Sequence, residues 1–195
     1  MKIELLSITP DSEKLIELAG RTAYQSQDKI NIVSAHSFVT KIIKLGHESV
    51  LEHAYATIRA GGLSRALTHQ LVRHRLVAYT QKSQRYVGED GFGYVVPPSI
   101  GQGSHVNMVI YRGVMEVVRD AYNKLIALGV PKEDARFVLT NATESEIVIS
   151  TNFRQWRHMI KLRTSRHAQW EIRKMFTKIL DILYIEAPAV FEDLR

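Results

Sequence analysis

Val106, Ile110, Val114, Val117, Ala121, Leu125 and Leu128 recur every three or four residues, and Gly129 with Pro131 stands just beyond them. That period predicts one long amphipathic helix ending at the glycine. Lys2 to Ile8 reads as a strand, and Thr9-Pro10-Asp11 caps a helical pattern at Leu15, Leu18, Ala19 and Thr22. Ser34 opens a second helix with Phe38, Ile42, Ile43 and Leu45 as its apolar set, stopping at Gly46. His47 to Glu52 is expected to be a loop, His53 to Ala60 a strand broken by Gly61-Gly62, and Leu63 to about His74 a helix. Further on, Lys132 to Leu139 reads as a short helix and Glu146 to Thr151 as a strand. Asn152 caps a helix from Phe153 to Arg163, and a last helix runs from Ala168 to about Glu186. The expected fold class is α/β, a mixed α+β single domain over residues 1–195 with a central sheet flanked by helices.

Between Tyr86 and the long helix the periodicity stops. Gly88, Gly91, Gly93, Pro97, Pro98, Gly101 and Gly103 predict a long loop, and a mobile lid over residues 87–105 is the expectation.

Composition removes several classes. A chain of 195 residues with 45% hydrophobic content can bury a core unaided. It has no cysteine, which excludes disulfides, zinc-cysteine sites and thiol nucleophiles. No apolar run approaches the roughly 20 residues of a membrane span. Met1-Lys2-Ile3-Glu4 lacks the basic and apolar regions of a signal peptide, so a cytoplasmic location with no membrane partner is expected. The net charge of +6 is unevenly spread. Arg59, Arg65, Arg73, Arg75, Lys82 and Arg85 lie in a stretch with no acid, and Arg154, Arg157, Lys161, Arg163, Arg166, Arg173 and Lys174 are opposed only by Glu171. Two such segments on an otherwise acidic chain fit either polyanion sites or a solvated basic face. Arginine forks suit bidentate contact with phosphate or carboxylate.

The nucleotide loops built on glycine are missing: Gly91-Phe92-Gly93 lacks the third glycine and the helix that a dinucleotide fingerprint needs. His47-Glu48-Ser49-Val50-Leu51-Glu52-His53 fails as a zinc motif because Leu51 stands where the second histidine belongs. No metal is expected among so many arginines. The unusual stretch is Arg73-His74-Arg75, followed after seven residues by Ser83-Gln84-Arg85-Tyr86. Residue chemistry alone leaves two readings open, cationic capping of the preceding helix or an anion site.

The pattern R-H-R, seven residues, S resembles the signature of the flavin-dependent thymidylate synthases. The resemblance extends through His47-Glu48-Ser49 with Glu52-His53, Gln70, Ala135-Arg136, Asn152, Arg154, His158, Arg163 and His167-Ala168-Gln169-Trp170-Glu171-Ile172, in the family's order. It implies a homotetramer with composite sites at subunit interfaces, FAD as cofactor, and an FAD-dependent methyltransferase reaction from dUMP to dTMP. Methylenetetrahydrofolate would be the carbon donor and NADPH the reductant. Carried over by position, His47, Ser49, Glu52, Arg73, His74, Arg75, Leu76, Asn152, Arg154 and His158 fall on flavin contacts. Gln70, Arg73, Gln81, Ser83, Gln84, Arg85, Arg136 and Arg163 fall on dUMP contacts. The chain departs from the pattern at Gln81, where some relatives have glutamate, at Gln84, where many have glycine, and at His158 and Lys161, where some have asparagine.

Without cysteine the thiolate route of other thymidylate synthases is closed. Ser83 would need a strong neighbouring base to act as a nucleophile, so it reads as a hydrogen-bonding anchor. Arg163 reads as the catalytic group that stabilises charge developing on the pyrimidine oxygens. A rival reading takes the basic segments, with Tyr79 and Tyr86, as a nucleic-acid surface. Neither segment forms a continuous basic helix or an RNA-binding signature, so no nucleic-acid partner is expected. Phe153 and Trp156 are expected in the core, His36 and His105 at the surface or in loops, and His69 in a structural role.

Overall fold

In the computed structural model, which describes residues 1–195, the shortest path from sequence to fold runs through strand β4, Glu144–Asn152. Ser145, Ile147, Ile149 and Thr151 are buried along it and the residues between them are not. Alternation of this kind marks a pleated strand packed on one face. Four strands make one sheet in the order β1-β2-β4-β3, with β1 at Lys2–Ile8, β2 at Tyr55–Ser64 and β3 at Ala78–Gln81. The helices are α1 (Ser12–Thr22), α2 (Ser34–Lys44), α3 (Arg65–Leu71), α4 (Pro98–Gly101), α5 (His105–Ala127), α6 (Lys132–Ala135), α7 (Phe153–Arg163), α8 (Trp170–Glu186) and α9 (Pro188–Phe191). The mixed α/β architecture is the one the pattern predicts.

The chain divides into two compact units. The first comprises residues 1–2, 60–72 and 80–147, and its core holds Leu63, Leu67, Leu71, Phe92, Met115, Tyr122 and Ile147. The second comprises residues 3–59, 73–79 and 148–195. Here Phe153 packs edge-on to Phe191 at 5.3 Å, and the buried Trp156 donates its indole N–H to the Ala56 carbonyl at 3.1 Å. Phe153 and Trp156 are thus core residues, as their spacing predicts.

Several local expectations give way to tertiary contacts. Gly61-Gly62 does not end β2, which runs on to Ser64. Burial moves from Ala56, Ile58 and Ala60 to Leu63, a slip in alternation of the kind a bulge makes. Gly62 adopts φ 66°, and a Cβ there would come within 3.0 Å of the Met1 nitrogen. The Ser64 hydroxyl accepts the Leu67 N–H at 3.0 Å, so α3 starts late and ends at Leu71, leaving Arg73, His74 and Arg75 beyond it. The short strand β3 has no counterpart in the sequence reading. The expected loop at His47 is a 3₁₀ turn, Glu48–His53.

Asp11 stands at the N-cap of α1, but its carboxylate makes no cap bond and accepts from Lys14 at 2.8 Å instead. Nor does α1 bury Leu15 and Leu18. It turns Ile16, Glu17 and Gly20 inward, because the Glu17 carboxylate is bonded by Arg21 and by the Ser34 hydroxyl, each at 2.7 Å. Gly20 leaves room for Phe38, whose ring would stand 2.5 Å from an added Cβ. The long helix α5 forms as predicted, yet only Met115 and Tyr122 of it are buried. Val106, Ile110, Val114 and Val117, which form its apolar stripe, are exposed in the single chain. The predicted loop before it contains α4. Arg119 donates to the Phe92 carbonyl in it at 3.1 Å, and Tyr111 donates to the Val95 carbonyl at 2.7 Å.

Candidate active site

The positions expected to contact flavin all fall in the second unit. β4 ends at Asn152, whose side-chain oxygen accepts the Gln155 N–H at 2.8 Å and so starts α7. This cap places Arg154 and His158 one turn apart on an exposed face of α7. The Glu52 carboxylate, on the 3₁₀ turn, receives Arg154 at 2.5 Å. Asn152, Arg154, His158 and Glu52 line a cleft of about 840 Å³ with Leu76, Ala78 and Tyr55. Leu76 sits at φ 61°, a left-handed conformation that a branched apolar residue rarely adopts, and its carbonyl accepts the Thr151 hydroxyl at 2.7 Å. A second cleft, of about 870 Å³, has His47, Ser49, Tyr24, Phe38 and Lys41 among its lining. Glu48 and Arg154 line both.

Near His158 lies His74, buried at 8% exposure between the exposed Arg73 and Arg75. Arg163 donates its Nε–H to His74 Nε2 at 2.9 Å, which requires a neutral imidazole with its proton on Nδ1. Burial, then the Arg163 charge, then His158 lower the His74 pKa from 6.5 to about 4. The His158 ring stands edge-on at 6.3 Å. His74 thus serves Arg163 and not the end of α3, while Arg73 and Arg75 lie just past that helix. The same burial raises the neighbouring Tyr79 hydroxyl to about 12, and that hydroxyl donates to the His74 carbonyl.

Of the expected nucleotide positions, Arg73 and Arg163 belong to the second unit, whereas Gln70, Gln81, Ser83, Gln84, Arg85 and Arg136 belong to the first. Arg85 pairs with the Glu133 carboxylate at 3.1 Å, and Arg136 donates to the Glu133 carbonyl at 3.0 Å, so one residue gathers both arginines. Arg65, on α3, has its pKa lowered by burial and then by Arg136. It adds a third guanidinium that the list of expected contacts lacked. Ser83 Oγ accepts the Arg85 N–H at 3.3 Å, leaving its own proton to donate. The Gln81 amide nitrogen is occupied by Thr68 and Ser145, both at 3.0 Å, so its carbonyl oxygen is the group it can offer. Gln84 is buried and its amide nitrogen has no partner, a donor that a ligand or water must satisfy. Lys82, paired at 2.8 Å with the buried Glu89, was likewise not singled out by the sequence. No group of three or more His, Asp or Glu side chains is placed to hold a metal ion.

The cleft is lined by the polar side chains of Asn152, Arg154, Gln155 and His158 together with Leu76, Ala78 and Tyr55. The molecule is thus an α/β protein with an arginine-bearing cleft in its second unit. The family model described as "Thymidylate synthase complementing protein" matches residues 4–189. The flavin-dependent thymidylate synthase of Geobacter sulfurreducens is 44% identical over 201 residues, covering 99% of this chain and 86% of the relative. The one from Corynebacterium diphtheriae is 39% identical, covering 97% and 81%. The fold is that of Helicobacter pylori thymidylate synthase X, solved with FAD and dUMP, at a TM-score of 0.83 and 22% identity, covering 100% of this chain and 98% of that one. This chain belongs to the flavin-dependent thymidylate synthase family.

Proposed function

We propose that the protein converts dUMP to dTMP with methylenetetrahydrofolate as carbon donor and NADPH as reductant, using bound FAD, in the cytoplasm. The observation that carries this reading is the shared cleft: Glu52, Leu76, Asn152, Arg154 and His158, five of the ten expected flavin positions, line one cavity. Its volume falls within the range of cofactor sites, and its mixed lining fits a cofactor with both rings and phosphates. When bound, FAD supplies the hydride chemistry that a chain of ordinary side chains lacks.

The protein's own residues bind and orient. Arg154 and Asn152 sit at the start of α7, where unsatisfied backbone N–H groups and the helix dipole favour a phosphate. Arg85, Arg136 and Arg65 provide the forks for the nucleotide phosphate. Arg163 is oriented through its Nε by a neutral histidine. A guanidinium already fixed needs no reorganisation when negative charge develops on a uracil oxygen, and this is its catalytic role. Ser83 anchors the pyrimidine by donating its hydroxyl proton. The exposed stripe of α5, Val106, Ile110, Val114 and Val117, supports assembly into a homotetramer, with composite sites where subunits meet.

The test is release of tritium from dUMP labelled at the carbon to be methylated. Release that requires FAD, NADPH and methylenetetrahydrofolate together is the expected result. Protein loaded with FAD that releases no tritium in the presence of all three would overturn the proposal.

A further inference from the structure

Arg157 is a fully buried cation in the second unit, at 1% exposure, and it has no role in the site described above. It lies on α7 between Arg154 and His158. Its two terminal nitrogens donate to the Asp193 carboxylate at 2.6 and 2.8 Å; one also donates to the Val190 carbonyl, and the other reaches Glu48 Oε1 at 3.5 Å. Its Nε is buried without a partner. An apolar side chain at such a position would avoid the desolvation penalty that a guanidinium incurs, so the arginine invites a specific use. Glu48 points to that use. It opens the 3₁₀ turn Glu48–His53, stands beside His47 and Ser49, and lines both clefts. A 3₁₀ turn has poor hydrogen-bond geometry of its own and depends on outside contacts to keep its shape.

We propose that Arg157 is a positioning residue of the cofactor site: held by Asp193 and the Val190 carbonyl, its guanidinium fixes Glu48 and with it the turn that presents Ser49 and Glu52. The flavin part of this role rests on the function proposed above; the fixing of the turn does not.

Two readouts on Arg157→Met, Glu48→Gln and the double variant test it. Amide hydrogen exchange across residues 48–53 is expected to quicken about tenfold in Arg157→Met while α8 keeps its protection, a local opening rather than global loss. FAD affinity is expected to weaken about tenfold with kcat at saturating FAD within about threefold of wild type, and the double variant to match Arg157→Met alone, because both substitutions break one link. Should Arg157→Met fail to fold, Glu48→Gln, which touches only a part-exposed carboxylate, carries the same test with a smaller expected effect of about threefold. Unchanged exchange across the turn in a folded variant overturns the proposal, as do additive effects on affinity. If wild-type protein takes up no FAD, the functional reading fails by itself, and the exchange comparison still decides whether Arg157 fixes the turn.

Discussion

Acid should loosen this protein through one histidine. His74 accepts a hydrogen bond from Arg163 on Nε2 at 2.9 Å, so protonation there would remove the acceptor and set two cations against each other. In the folded chain its pKa is lowered from 6.5 to about 4, by burial first and by Arg163 and His158 next. Unfolded, the ring protonates near 6.5. Between those values the unfolded chain binds more protons than the folded one. Stability is therefore complete above about pH 6.5, declines as the pH falls towards 4, and levels off below. The full shift corresponds to roughly 3 kcal/mol, and solvent screening at the ring's exposed edge reduces the expected loss to about 2 kcal/mol. Two measurements check this. Carbon-13 labelling of histidine Cε1, with His74 assigned through His74→Gln, should give one resonance that does not titrate above about pH 5. Urea unfolding from about pH 7 to 4.5 should cost the wild type about 2 kcal/mol more than His74→Gln, whose amide oxygen still accepts from Arg163 but cannot charge. A His74 resonance titrating near 6.5, or equal losses in the two proteins, would refute the reasoning.

Other outcomes follow from the same geometry. Ser83→Ala should retain turnover within about a hundredfold of wild type and weaken dUMP binding, because the hydroxyl anchors rather than attacks; steady-state kinetics decide, and a variant with no measurable turnover would restore the nucleophile. Arg154→Ala should leave Tm within a degree or two, since the Arg154–Glu52 pair is about half-exposed, yet weaken FAD binding about tenfold or more in a fluorescence titration. Val117→Glu, at a position 69% exposed in the single chain, should leave secondary structure intact by circular dichroism and shift sedimentation toward smaller species. An unchanged mass would remove that face from the subunit interface.

What sequence could and could not reveal divides along physical lines. Local rules placed α7 because Asn152 caps it and its own periodicity carries it. They placed α5 by its periodicity and its stop at Gly129, but could not say what its apolar stripe would meet, since periodicity identifies a face and not what covers it. Contacts between distant segments overrode local patterns elsewhere: Glu17 is buried because Ser34 and Arg21 reach it, and β2 passes Gly61-Gly62 because Gly62 can adopt a positive φ beside Met1. The R-H-R segment stood out in the sequence, but the bond from Arg163 to His74 joins residues far apart in the chain, so the histidine's neutral state could not be read there. Arg65 and Arg157 stood in the basic segments without any spacing to separate them from solvated charge.

The function proposed above requires that the cleft lined by residues of α7 and of the Glu48–His53 turn hold FAD. Equilibrium titration of flavin-free protein with FAD, followed by visible absorbance, tests it most directly. Saturable uptake stoichiometric with the chain, weakened together by Arg154→Ala and His158→Ala, is the predicted result. Protein that stays colourless with FAD in excess, or binds it equally well without those two side chains, would contradict the account.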